Sequence, residues 1–213
     1  MKKKLNITQT CRDALRIMLD LPDAAHSVEH IVRVYDWCRE LAKSHPQTDL
    51  KVLKVAAYWH DVGRVKQSKD KDDHNIKGAL MVENYLLDRG ADRDFVKRVK
   101  QAVLNHSFRC QPKTIEGKIL HDADKLSFIG DHEIFDALDG FKDGFENKNF
   151  NKKILIESIK GFLEHRSKLT TYFDQGLILP EAKREYKKRE KALFKIAEDL
   201  KKLTSRKKKK AII

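Results

Sequence analysis

His60 and Asp61 stand side by side in "AAYWHDVGR", residues 56–64, at the end of an apolar stretch. Imidazole and carboxylate both hold divalent transition metals, so the pair raises the question of partners elsewhere in the chain. Helical phase supplies them. His30 shares a face with Val34, Trp37 and Leu41; His106 continues the stripe of Val99, Ala102 and Val103; Asp124 follows Leu120 by one turn in a largely apolar segment. His60 and Asp61, as neighbours on one helix, diverge by about 100° and can flank a single ion. Burying any of these groups alone is costly unless it is paired or bound to metal. His30, His60, Asp61 and Asp124 offer two imidazoles and two carboxylates. That mixture suits Mn, Fe, Co, Ni or Zn, with positions left open for water and substrate. No cysteine pair stands at metal spacing, which argues against a structural zinc site.

The elements that must position these residues read as helices. "HIVRVYDWCRELA" carries Ile31, Val34, Cys38 and Leu41 on one stripe, with Ser27 as N-cap and Pro46 beyond its end. "DLKVLKVAAYWHD" is a second, heavily buried helix, for which Gly63 is the expected stop. The polar loop "KQSKDKDD" leads to "HNIKGALMVENYLLDRG", then "RDFVKRVKQAVLNH" and the short helical "GKILHDADKLSFIG". "DGFKDGFENKNFNKK" reads as a loop, and two longer helices, roughly 152–172 and 181–203, complete the chain. No segment alternates as a half-buried strand does, so the fold class is all-α. No Pro/Gly/Ser-rich linker divides it, so residues 1–204 are expected to form one domain and 205–213 a basic, disordered tail.

Composition agrees. A chain of 213 residues with 40% apolar and 36% charged residues can bury one sizeable core or two small ones. No window approaches the roughly 20 apolar residues of a membrane span. The opening turns polar after its lysines, without the apolar centre of a secretion signal. The three cysteines, Cys11, Cys38 and Cys110, are scattered, as in a reducing compartment. The expected location is the cytoplasm. The net charge of +13 resides at the ends. Residues 1–4 carry +3, and the 14 basic and 5 acidic residues from Glu181 onward carry +9, so +1 remains between. The "SRKKKK" run would hold RNA or an acidic surface weakly by charge alone; its bland reading is a solvated terminus.

The blocks "HSVEHIVRV", "AAYWHDVGR", "HNIKGALMVENYL", "AVLNHSF" and "KILHDADKL", in that order, resemble the HD-domain superfamily of metal-dependent phosphohydrolases. The likeness is nearest to small stand-alone bacterial members acting on nucleotides. It runs from about residue 22 to 128, and more faintly through "LTTYFDQGLILPEAKREYKKREKALF". It implies an all-α HD-domain bundle with a metal site in its core and the C-terminal helices packed on it. His30 matches the first metal ligand, His60 and Asp61 the doublet that names the family, and Asp124 the closing ligand. His74 and His106 match positions that bind a second metal or a substrate phosphate, which makes them, with Asp61, the catalytic candidates. Arg64 stands where related motifs carry a basic residue facing phosphate. The chain departs from the pattern after "ADKL", where "SFIGDHEIF" replaces the aspartate and later arginine of near members. The implied reaction is hydrolysis of a phosphoester or phosphoanhydride, with one divalent ion or two lowering the pKa of water to about 7.

Each residue has a structural account as well. Asp124 would serve as an N-cap or as the ion partner of Lys125, His74 as a helix start, and His106 as a histidine favoured by a helix C-terminus. Lys77, beside Gly78, would reach a phosphate or simply be solvated. His26, one turn before His30, reads as a loop residue or a support for that ring, His121 and Asp122 as supporting or surface groups, and His45, His132 and His165 as surface chemistry. Two rival functions use the same residues differently. A di-iron HD oxygenase would hold oxygen chemistry in the same cage, and a nucleic-acid-binding protein would keep it as a vestige.

Overall fold

The computed structural model describes residues 5–21, 26–66, 74–108, 110–129 and 176–205. Among them are seven α-helices and no strands: α1 (Ile7–Met18), α2 (Val28–Ala42), α3 (Leu50–Trp59), α4 (His74–Asp88), α5 (Arg93–Leu104), α6 (Ile115–Leu126) and α7 (Pro180–Ser205). The expected helix at 152–172, the loops at 66–73 and 139–153 and the tail beyond Ser205 lie largely or wholly outside the described residues. So do His132 and His165. No described helix is long and apolar enough to cross a membrane.

Local sequence explains where the helices begin. Asn6, Asp49, Asp92 and Thr114 each accept a backbone N–H of the first turn that follows, satisfying donors a helix start leaves unpaired. Ser27 occupies the N-cap of α2 in extended conformation, but its hydroxyl makes no cap bond. The starts of α3 and α6 are tied together through α5. Arg98 donates to Asp49 (3.2 Å) and to Glu116 (2.7 Å), and Glu116 also accepts the backbone N–H of Asp49.

The chain divides into two compact units. The first comprises Met1–Ser127 with Leu177–Ala182. In it α2 packs between α3 and α6, α4 lies on α5, and α1 covers α3. The stripe Ile31, Val34, Cys38 and Leu41 is buried, as are Val52, Leu53, Val55 and Trp59 of α3. Each such side chain stabilises the fold by about 1.5–3 kcal/mol when fully buried. The Trp59 indole donates to Thr10 O (3.1 Å), so the largest core side chain also fixes α1. In the second unit, Phe128–Gly176 with Lys183–Ile213, the described part of α7 buries Tyr186 and Leu193. The Tyr186 hydroxyl donates to Glu190, and Arg189 pairs with Glu185.

One glycine works differently from expectation. α3 stops at Trp59 and continues as a 3-10 turn, Val62–Lys66, that runs straight through Gly63. The residue needed there is glycine because α4 comes so near. A Cβ on Gly63 would lie 2.0 Å from His74 O and 2.5 Å from Gly78 N. Gly63 therefore presses the first turn of α4 against the His60–Asp61 corner. Gly90, with φ 68°, is the glycine that does end a helix, just past α4.

Candidate metal centre

Five helix ends and turns deliver the site. His30 lies in the first turn of α2, His60 caps α3, Asp61 follows it, His74 opens α4, and His106 stands two residues past α5. Asp124 comes from the last turn of α6. His30, His60, Asp61, His106 and Asp124 are all buried, while His74 and Arg64 keep slight exposure. All of the candidates in the ligand and catalytic sets therefore meet at one place.

Hydrogen bonds at the outer ring nitrogens set the histidine tautomers. His60 Nδ1 lies 2.7 Å from Ala57 O, and His106 Nδ1 lies 2.6 Å from Val103 O. A carbonyl only accepts, so each Nδ1 carries a proton. His30 Nδ1 lies 3.0 Å from Ser127 Oγ, whose hydroxyl donates to Asp124 O (2.6 Å) and therefore accepts from the imidazole. In the neutral rings all three Nε2 atoms then turn lone pairs inward. His30 Nε2 and His60 Nε2 are 3.2 Å apart. Asp124 Oδ1 lies 3.2 Å and 3.7 Å from them, and Asp61 Oδ2 lies 3.6 Å and 3.4 Å. Asp61 Oδ2 is buried with no hydrogen-bond partner among the described residues. Lone pairs and anionic oxygens packed this closely demand a cation. His30, His60 and Asp124 place their ligand atoms within 4.8 Å of one another, as do His60, Asp61 and His106. The donor set fits a divalent transition metal.

The proton balance of the metal-free protein points the same way. Burial alone would push His60 down, yet Asp61 and Asp124 raise it to about 9. Burial lowers His30 in spite of its contact with Asp124. Burial would raise both carboxyls, but His60, His106 and Arg64 hold Asp61 well below the usual range, and His30 with His60 do the same for Asp124. A proton on His60 thus stands in for the ion.

The other oxygen of Asp61 faces a second group. Oδ1 accepts from Arg64 Nε at 2.7 Å and lies 3.6 Å from His74 Nε2 and 3.7 Å from His106 Nε2. The two Nε2 atoms are 3.2 Å apart, and Arg64 Nη2 lies 3.2 Å from His74 Nε2. Burial, His106 and Arg64 lower His74 to about 4, so near neutral pH it accepts from the guanidinium. Lys77, three residues along α4, is half-buried, and no hydrogen bond or ion pair joins it to the cluster.

Around this centre the structure places groups that sequence reasoning left out, put at the surface or left undecided between support and surface. His26 packs edge-on against His30, with ring centroids 5.6 Å apart. Ser127 fixes His30, as described. Lys125 is fully buried; its amine donates to His121 O (3.0 Å) and His106 O (3.4 Å) and lies 4.0 Å from the centre of the Phe108 ring. Burial lowers it to about 8 although Asp124 and Asp122 oppose this. His121 and Asp122 are buried, not superficial, and bond to each other (2.8 Å). Asp122 also accepts the backbone N–H groups of Ile178 (3.0 Å) and Leu179 (2.6 Å), clasping residues 177–179 to α6. His45 is half-buried against Glu181, so it too is a structural contact. The sole signal in the sequence was the position of Lys125, Asp122 and Ser127 within three residues of Asp124.

Comparison with known proteins places this geometry. Residues 27–129 match the HD domain family. The uncharacterized Bacillus subtilis protein YpgQ is 28% identical over 134 residues, 60% of this chain and 63% of that relative, so the chain spans less than two thirds of its length. A protein described as a predicted HD superfamily hydrolase, from an uncultured Thermotogales bacterium, superposes with a TM-score of 0.62 at 24% identity, covering 92% of this chain and 97% of that one. An HD-superfamily hydrolase of Bacillus thuringiensis gives 0.66 at 21%, covering 94% and 97%. YpgQ crystallised in complex with ADP gives 0.62 at 19%, covering 93% and 96%. At these identities the superpositions speak for the fold. Residues 27–129 therefore form an HD domain, and they contribute every one of the converging side chains.

Proposed function

We propose that this protein is a metal-dependent phosphohydrolase that cleaves a phosphoester or phosphoanhydride of a nucleotide. The observation that carries the reading is the buried, unpartnered Asp61 Oδ2 facing the inward nitrogens of His30 and His60. His30, His60, Asp61 and Asp124 hold the ion, and their outer hydrogen bonds keep the rings aimed at it. When bound, the ion supplies Lewis acidity that lowers the pKa of water to about 7. Arg64, partly exposed beside Asp61, offers a forked cation for phosphoryl oxygens. His106 and His74 face the same spot, and His74, neutral near pH 7, serves there as a hydrogen-bond or proton acceptor.

A nucleotide substrate is supported by the fold relative that crystallised with ADP. We assign the protein to the cytoplasm on its scattered free cysteines. The test is a panel of nucleoside mono-, di- and triphosphates with Mn, Co or Ni, run beside Asp61→Ala. Release of phosphate that needs metal and disappears in the variant supports the reading. Silence across the panel with metal bound overturns it.

A further inference from the structure

Charges on α7 are sorted by face. Ala182, Tyr186 and Leu193 are buried on one side of the helix. At about 100° per residue, Arg184, Lys188, Lys191 and Lys195 fall within about 60° of arc on the opposite side. All four are exposed, and Lys187, at the edge of the same face, is exposed too. With about 1.5 Å of rise per residue, this ridge of cations runs for about 17 Å. The acids of the stretch stand aside from it. Glu185 accepts from Arg189 at 2.9 Å, and Glu190 accepts from the Tyr186 hydroxyl at 3.1 Å. Of the four ridge cations only Lys188 has an ion partner among the described residues, Glu185 at 3.5 Å. Solvation does not call for such sorting. Like charges three and four residues apart repel along a helix, and mixed signs would solvate the face equally well.

We propose that this ridge is a docking surface for a nucleic-acid duplex, held through its phosphates without regard to base sequence. A duplex carries dense, fixed negative charge, and a row of lysines that meets it releases the counterions condensed there. Other polyanionic partners fit less well. A membrane holds an amphipathic helix by taking up its apolar face, and Ala182, Tyr186 and Leu193 are already buried within the protein. Single strands are gripped by stacking bases on aromatic rings, and the ridge carries none. The surface makes no use of the metal ligands, so it is a second activity beside the hydrolysis proposed above.

Fluorescence anisotropy of the full chain with labelled DNA and RNA duplexes of one mixed sequence tests this. Wild type is expected to bind both, with log affinity falling against log salt at a slope of about −3 to −4. Replacing Lys188, Lys191 and Lys195 together by Gln should weaken binding at least ~100-fold at low salt and flatten the slope by about 3. Arg at the same three positions should restore both. Because these side chains are exposed, circular dichroism should show the same helical fold in every variant. A chain cut after Ser205, which lacks the run at 206–210, should still respond to the Gln substitutions. No duplex binding by wild type, or binding that the Gln variant keeps, overturns the proposal. So does binding that disappears on cutting after Ser205, or attachment to phosphatidylserine vesicles in place of the duplexes.

Discussion

The two faces of Asp61 differ more than their shared carboxylate suggests. On the Oδ2 face stand two imidazole nitrogens and the Asp124 carboxylate with no fixed positive charge; on the Oδ1 face stand two imidazoles and a guanidinium. Similar ligand types are therefore tuned to opposite ends by one neighbouring cation. The first face is balanced by a proton on His60 or by an ion, whereas the second already holds a guanidinium. Residue identity alone does not tell a metal position from an anion-receiving one; the fixed charge beside it does.

The most severe way to break this comparison is to remove the side chain both faces share. Asp61→Ala should lose bound metal through gel filtration, with affinity down at least ~100-fold, while far-UV circular dichroism stays helical. Retained metal would mean that Asp61 belongs to the Arg64 side alone. Gly63→Ala strikes the second face through the backbone of His74, because the new methyl meets His74 O. It should cost about 3 kcal/mol of stability by overpacking, read as a lowered melting temperature, and any folded fraction should still bind Mn2+ through His30, His60 and Asp124.

A pH series separates the faces without mutation. The metal-free His60 titrates near 9, so at pH 7 it carries a proton that the ion must displace. Apparent metal affinity should therefore rise with pH by roughly tenfold per unit between 7 and 9, then level off. Calorimetry in buffers of different ionisation enthalpy should count about one proton released per ion at pH 7. A flat profile would place the proton elsewhere. The mildest expected effect is that of Ser127→Ala, which frees the His30 ring and the Asp124 carbonyl but removes no candidate ligand. Metal affinity should fall by about tenfold. Inorganic phosphate binding to the metal-loaded protein, a property of the Arg64 side, should stay unchanged.

The helices and the inward phase of His30 and Asp124 were legible because they depend on period alone, which local sequence displays. Val34, Cys38 and Leu41 are buried where their spacing put them. Gly63 was legible as a special position but was given the wrong reason, since the need for it comes from α4, a separate element. Lys125, Asp122 and Ser127 escaped because their partners are distant. Lys125 reaches the carbonyl at 106, 19 residues back, Asp122 serves N–H groups 56 and 57 residues away, and Ser127 serves a ring 97 residues away. Periodicity carries no record of such pairings. Arg64 and His74 came from the family likeness, and what that likeness could not convey was how near the guanidinium lies to Asp61.

His60 and His106 are held by one device: each stands at or just past the end of its helix and donates from Nδ1 to the carbonyl three residues back. Helix ends leave such carbonyls unpaired, so one bond both completes the helix terminus and aims a ring. Fraying of the last turn of α3 or α5 would therefore misdirect a ring at the moment it unwinds. Helix-end opening and loss of the ion become a single coupled event. Amide hydrogen exchange at residues 57–61 and 103–106 should then slow when Mn2+ is added, and by the same factor as the ion stabilises the protein where exchange proceeds through that opening.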